Sequence, residues 1–341
     1  MGEIRALTSL RGLGAILVFL YHLRIIAPSI VPNLFGIVGH GYLGVDFFFI
    51  LSGFVLGRAY GERFTQPFDA LAYIRFLIAR VGRIFPLHIM VTALCVVVDW
   101  AVGQPHSPLQ VLTESSLIHR WGFVHANFNA INGPAWSIST EWAAYLLFPV
   151  FAYLALGSCR GFAVGLGLGC LSVLCLMASR NGGSLDLALA NTYQPLIRCF
   201  CEFGIGMLLW RMRGLRLNAD LLVAAAITTL IVTAIARLPD EFCIVPLAMI
   251  ILGYGLNRTR MAPELGGRVL YWLGEISFSV YLVHLPLILA VRWFGLPKIE
   301  FVAAVLILVP VVAWLSYRFI EVDWRERSKA WAQSMRVPAP L

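Results

Sequence analysis

Charge is what this sequence has least of. Asp, Glu, Lys and Arg make up 13% of its 341 residues while 60% are hydrophobic, a balance foreign to a water-soluble domain of this length. Its seven cysteines lie mostly inside apolar runs, with no CxxC and no His/Cys ligand spacing, so neither a disulfide framework nor a zinc or other metal site is expected. Also missing are a GxSxG elbow, an HExxH pair, a P-loop and a GxGxxG in strand–helix context. No internal repeat, low-complexity stretch or pair of broken helices is evident. The first apolar run follows Arg5 and Arg11 without a small-residue cleavage site, and is expected to stay as a span. The tail after Glu321 has about twenty residues, so one membrane domain over 1–341 is expected, with no fused soluble domain. The net charge of +8 sits in short links between apolar runs and not in a stripe with stacking aromatics, which argues for membrane topology and against nucleic acid.

What is present is apolar length. Ten windows are long enough for a bilayer core of about 30 Å. They cover 8–27, 40–59, 80–101, 136–156, 160–178, 192–210, 219–236, 241–257, 270–292 and 299–320. Lipid offers the backbone no partners, and these runs lack period-two alternation, so the fold class is an all-α integral membrane bundle of about ten transmembrane helices. With the N-terminus inside, 19 of the 26 Lys and Arg residues fall on the cytoplasmic side, which places both termini there. The basic stretch from Arg58 to Arg83 is amphipathic enough to lie along the membrane surface before span three. The longest external link, about 104–135, carries His106, His119, His125, Asn127, Asn129 and Asn132 and reads either as a lid or acceptor surface or as a solvated loop.

Ionisable groups inside the spans are costly in lipid and mark either a function or a buried pairing. Arg11 and His22 are eleven residues apart, three turns plus roughly 20° on a helix, so both project from one face, separated by about 16 Å of rise. With Arg11 at one rim of the bilayer, His22 is expected near its middle. Arg80 and Arg83, at i and i+3, either hold an anion such as a phosphate or anchor the helix to lipid headgroups. Asp46, within GVDFFFILSGF, needs a cation or donors, with His22, Arg11, Arg80 and Arg83 as candidates; Gly44 and Gly53 beside it permit close helix approach. In GPAWSISTEW, Ser137 and Glu141 share a face, and Trp136 serves as an interface anchor or a substrate contact. Ser277, Tyr281 and His284 form a polar stripe on span nine that lines a helix interface or a cavity. Arg318 and Glu321 read as a local ion pair.

Taken in order, Arg11 to His22, GVDFFFILSGF, Arg80-x-x-Arg83 followed by IFPL, WSISTEW, SFSVYLVH and YRFIE resemble the membrane acyltransferase 3 family of bacterial O-acyltransferases across nearly the whole chain. The resemblance implies a ten-helix protein of the bacterial cytoplasmic membrane. It would move an acyl group, commonly acetyl from acetyl-CoA, onto a hydroxyl of a glycan, glycolipid or small molecule, with no other cofactor. It makes His22 similar to the family's essential histidine, Arg11 to its partner, and Arg80 and Arg83 to its basic pair. Trp142 stands where many members have a second acidic residue, and Val322 replaces the usual proline after Glu321. The expected roles are therefore His22, Asp46 and Glu141 in catalysis and Arg11, Arg80 and Arg83 on acyl-CoA. Trp136, Ser137, Tyr281 and His284 are expected on the substrate. The other class of function open to the same polar residues is a transporter or flippase of a polar lipid or solute.

Overall fold

Apolar runs in lipid must satisfy their own backbone, and the described residues do so with helices and without a single strand. The structure, a computed structural model, describes residues 4–65, 68–122, 130–186, 193–256, 259 and 265–335. The helices are α1 (Arg5–Ile26), α2 (Gly44–Tyr60), α3 (Ala70–Ala101), α4 (Pro108–Ser115), α5 (Ala135–Leu146), α6 (Phe148–Gly157) and α7 (Arg160–Arg180). They continue with α8 (Gln194–Arg211), α9 (Ala219–Ala236), α10 (Glu241–Gly255), α11 (Arg268–Glu275), α12 (Ser277–Trp293), α13 (Lys298–Ser316) and α14 (Val322–Ser334). Asp69, Ser107 and Asn218 cap α3, α4 and α9, each accepting a backbone N–H from three residues ahead.

All ten sequence windows overlap a helix or a bent pair of helices. Six described helices are long and apolar enough to cross a membrane, and eight if each bent pair counts as one span. The other two windows fall on α8, which carries Arg198, Glu202 and Arg211, and on α10, which has only 15 residues. Of the stretch from Arg58 to Arg83, Arg58 lies in the last turn of α2, and from Ala70 on the chain forms the first turns of α3, one continuous helix of 32 residues.

Two helices are broken, contrary to the sequence reading. The α5–α6 pair bends by 69° ahead of Pro149, and α11–α12 by 65° at Ile276. Breaks strand carbonyls, and side chains from elsewhere reach them. Tyr73 donates its hydroxyl to the Leu146 carbonyl at 2.6 Å, and Arg211 donates to those of Ala155 and Ser158 at 2.9 Å. Arg11 and Ser277 both donate to the Gly274 carbonyl at 2.7 Å. Pro286 has no N–H for the Leu282 carbonyl, and Asn132 Nδ2 supplies one at 3.2 Å.

Gln104, Pro105 and 107–109 of the external link are exposed, whereas much of its described remainder packs into the protein. Buried Glu114 accepts the N–H groups of Ile131 and Asn132 at 3.0 and 2.6 Å, and burial raises its pKa. Burial, then the charges of Arg120 and His88, push His119 down to about 3, so it is neutral at physiological pH. His106 pairs with Asp99 at 2.7 Å. His125, Asn127 and Asn129 lie outside the described residues.

At the centre, α2 packs lengthwise on α8. A Cβ added to Gly206 would lie 1.9 Å from the Ile50 carbonyl oxygen, so only glycine permits this approach, and Gly53 faces Phe203 in the same way. The contact buries an ion triad. Arg198 donates Nε to Asp46 Oδ1 at 3.1 Å and Nη2 to Oδ2 at 2.5 Å, and Nε also reaches Glu202 at 3.4 Å. All three are buried. The cation for Asp46 is thus Arg198 on α8, and none of the four candidates read from sequence. Removing one partner from a buried pair leaves an uncompensated charge and typically costs about 3–5 kcal/mol. Asp46→Asn is therefore expected to lower the melting temperature of the detergent-solubilised protein markedly. Unchanged melting with lost turnover would instead give Asp46 a chemical role.

Candidate active site

A cavity of about 340 Å³ lies between α1, α2, α3, α5 and α12. Four guanidinium-bearing residues line it: Arg11, Arg58, Arg80 and Arg83. The helical rows bring them together. Arg80 and Arg83 stand on one face of α3, while Arg11 projects from the N-terminal half of α1 and Arg58 from the last turn of α2. The Arg80 guanidinium sits 5.8 Å from the Phe76 ring centroid and 6.0 Å from those of Tyr60 and Tyr145, and its buried Nε has no hydrogen-bond partner. Among the described residues neither Arg80 nor Arg83 has an acidic side chain within ion-pair distance. Arg11 is more committed. Its Nε and Nη2 go to the Gly274 carbonyl and its Nε also to Ser277 Oγ at 2.9 Å, so it ties α1 to the break between α11 and α12.

Along α5, Ser137, Glu141 and Tyr145 fall on successive turns and all face the cavity. Tyr145 donates its hydroxyl to Glu141 at 2.6 Å and lies 3.2 Å from Ser52. Ser137 and Tyr281 bond through their hydroxyls at 2.7 Å. Phe48, edge-on to Tyr281 with centroids 5.9 Å apart, is part of the apolar wall. The cavity thus combines cations, an apolar middle and a cluster of hydroxyls with one carboxylate.

The polar stripe on α12 is divided among neighbours. Ser277 receives Arg11, Tyr281 meets Ser137, and His284 meets His22. His284 Nε2 lies 3.2 Å from His22 Nδ1, with ring centroids 5.0 Å apart. Tyr281 in turn packs on His284 at 5.9 Å. His284 therefore stands one side chain beyond the cavity lining, and His22 meets it from the far side. His22 sits one turn from the C-terminal end of α1, three turns along it from Arg11. Beside it, Tyr21 donates to Asp186 at 2.7 Å and packs on Tyr42, which donates to Asp240 at 2.7 Å.

Of the residues named from sequence, Arg11, Arg80, Arg83, Ser137, Glu141 and Tyr281 line the cavity, whereas His22, Asp46, Trp136 and His284 do not. Glu141 is held by Tyr145 and makes no hydrogen bond to His22, and Asp46 belongs to the α2–α8 triad. Trp136 is no interface anchor. It is buried, with the Arg198 guanidinium 5.6 Å from its ring centroid. Glu321 forms no ion pair with Arg318; it accepts the Ser279 hydroxyl, and the charges acting on it come from Arg83, Arg11 and Arg325. Sequence reasoning missed Ser52, Arg58 and Tyr145 on the cavity and Arg198 as the partner of Asp46. The i, i+4 spacing of Arg198 and Glu202 inside an apolar window was the available signal for the last.

With this geometry in place, the comparisons with known proteins are specific. BcsY of Komagataeibacter xylinus, provisionally named a membrane-bound transacylase, is 26% identical over 97% of this chain and 86% of its own. YrhL of Bacillus subtilis, provisionally named a peptidoglycan O-acetyltransferase, is 25% identical over 93% of this chain. The O-acetyltransferase OatA of Staphylococcus aureus is 24% identical over 86% of this chain. This chain spans about half the length of the latter two, 54% in each case. No solved structure matches significantly. The family model described as an acyltransferase domain matches residues 4–319, so the chain belongs to that family and is a multi-pass membrane acyltransferase.

Proposed function

We propose that the protein transfers an acyl group, acetyl above all, from acyl-CoA to a hydroxyl of a sugar or glycoconjugate at the bacterial cytoplasmic membrane, which it crosses ten times with both termini inside. The observation that carries this reading is the cavity, in which Arg58, Arg80 and Arg83 line a pocket that also holds Ser137, Glu141 and Tyr281. A CoA thioester is built to match: an anionic phosphate end and a long, mostly neutral arm ending in the reactive carbonyl. Guanidiniums bind phosphate with paired N–H groups and Arg80 has unused donors, while Arg11 adds charge to the same wall. A volume near 340 Å³ falls at the small end for ligand pockets, about 300–1,000 Å³, and favours a short acyl chain.

In this mechanism the acyl end advances past Tyr281 toward His22. The His22 ring takes the proton of the acceptor hydroxyl on Nε2, the oxygen attacks the thioester carbonyl, and the C–S bond breaks. The CoA thiolate leaves and is protonated in turn, which returns His22 to its neutral form. An acyl-imidazole on the same nitrogen is the covalent variant of this route. The position of His22 near the end of α1 opposite Arg11 supports an acceptor that approaches from the side away from the donor phosphates. The names of YrhL and OatA, both O-acetyltransferases, support oxygen as the acceptor atom and, through YrhL, a glycan.

Two variants test this reading in membranes supplied with radioactive acetyl-CoA. His22→Ala is expected to abolish label transfer while the protein still inserts and melts normally; transfer at the original rate would end the proposal. The double variant Arg80→Ala with Arg83→Ala is expected to raise the KM for acetyl-CoA by about 10- to 100-fold, as lost charge-assisted hydrogen bonds of about 1.5–3 kcal/mol require. The fall in kcat should be smaller, and an unchanged KM would return both arginines to lipid anchoring.

A further inference from the structure

His22 and His284 face each other across α1 and α12, and the carbonyls around them assign every ring proton. His22 Nδ1 lies 2.9 Å from the Val18 carbonyl oxygen. His284 Nδ1 lies 2.7 Å from the Tyr281 carbonyl oxygen and 3.2 Å from that of Val280. A carbonyl only accepts, so Nδ1 carries the hydrogen in both rings. A neutral imidazole has one N–H, which leaves Nε2 of each ring as a lone pair. His284 Nε2, 3.2 Å from His22 Nδ1, is then an acceptor aimed at an N–H that His22 shares between it and Val18. His22 Nε2 is left with its lone pair and no hydrogen-bond partner among the described residues.

We infer that His284 is a positioning residue for His22: it accepts the His22 Nδ1–H, holds the ring in the tautomer whose Nε2 is basic, and keeps that hydrogen bond when Nε2 takes a proton. The inference deepens the proposed role of His22 and rests on it, and it holds equally for base and acyl-imidazole routes, since both need the Nε2 lone pair. The bond on one ring nitrogen of a histidine sets the proton on the other, a task often given to a carboxylate. A neutral imidazole suits this place better. His284 is fully buried, and a carboxylate there would need its own cation.

The surroundings of His284 hold it to this orientation. Its ring is flanked by Phe19 on α1, with centroids 6.2 Å apart, and by Tyr281, whose hydroxyl is fixed by Ser137. One turn around it, Asn132 fills the carbonyl of Leu282 that Pro286 leaves open, so the backbone carrying His284 is fixed despite the proline. Substrate-facing Tyr281 and the His22 partner thus lie on adjacent turns of α12.

The test compares three single variants of the full-length protein in membranes, with acetyl-CoA as donor and the resident glycans as acceptor. His284→Phe keeps the ring and volume but removes the acceptor; it is expected to lower kcat by about 10- to 100-fold, the usual cost of losing such an outer partner. The KM for acetyl-CoA should stay unchanged, because His284 does not line the cavity. His284→Gln, which can place an amide oxygen near the lost Nε2, should restore most of the rate. A wild-type kcat in His284→Phe, a parallel rise in KM, or a glutamine variant as slow as the phenylalanine variant would each overturn the inference. The His22→Ala variant separates the two claims. If it is inactive while His284→Phe turns over normally, only the pairing fails; if it is active, the role of His22 fails first. Nitrogen NMR of the ¹⁵N-histidine-labelled wild type avoids any folding defect. A His22 signal with protonated Nδ1 and bare Nε2 supports the inference, and the reverse tautomer refutes it.

Discussion

The bond on which the rest of this structure depends is the one from the Arg11 guanidinium to the Gly274 carbonyl. Lipid supplies no hydrogen bonds, so a helix bent by 65° within an apolar run needs its freed carbonyl filled from within the protein. Arg11 fills it at 2.7 Å and bonds Ser277 just past the bend. The approach is close because Gly274 has no side chain: a Cβ there would lie 2.0 Å from the Thr8 carbonyl oxygen. With α1 fastened to α11 and α12 at this level, three turns further along α1 the ring of His22 arrives opposite His284. One side chain thereby sets the register of the two helices that carry the histidines and adds positive charge to the cavity wall.

Charge inside the bundle is sorted into two kinds. Arg198, Asp46 and Glu202 neutralise one another between α2 and α8, and Trp136 covers the guanidinium. Among the described residues Arg80 and Arg83 have no acidic partner at ion-pair distance; Arg80 leans on aromatic rings, and both face the cavity. Partly buried cations without a counter-ion at hand are suited to an anionic ligand. This difference, more than the number of arginines, sets the cavity wall apart from the buried triad. The hydroxyls of Tyr145, Ser137 and Tyr281 add a neutral polar surface to the same cavity.

Much of this was legible in the sequence because helical rotation is a local property. The shared face of Arg11 and His22, of Arg80 and Arg83, and of Ser137 and Glu141 follows from spacing alone, and all three pairs keep it. What rotation does not reveal is the neighbour across the interface. Asp46 meets a cation 152 positions away, and no local pattern announces which helix will lie beside α2. Trp136, read as a surface anchor from its place after a proline, is buried for the same reason. The break at Leu147 had a signal in Pro149, but the one at Ile276 has no proline and depends on a tertiary contact from Arg11. The number of membrane crossings is equally hard to read, since α8 trades apolar residues for a buried ion triad.

The central claim is that the arginine-lined cavity, and no other surface, receives the acyl donor. A short acyl-CoA carrying a photoreactive diazirine on its acyl end tests it most directly, with the labelled residues identified by mass spectrometry. The account predicts labelling of cavity residues such as Phe48, Tyr281 and Ser137, removed by excess acetyl-CoA and lost in the Arg80→Ala, Arg83→Ala variant. Labelling confined to the lipid-facing sides of α7 or α9, or unaffected by acetyl-CoA, would contradict it.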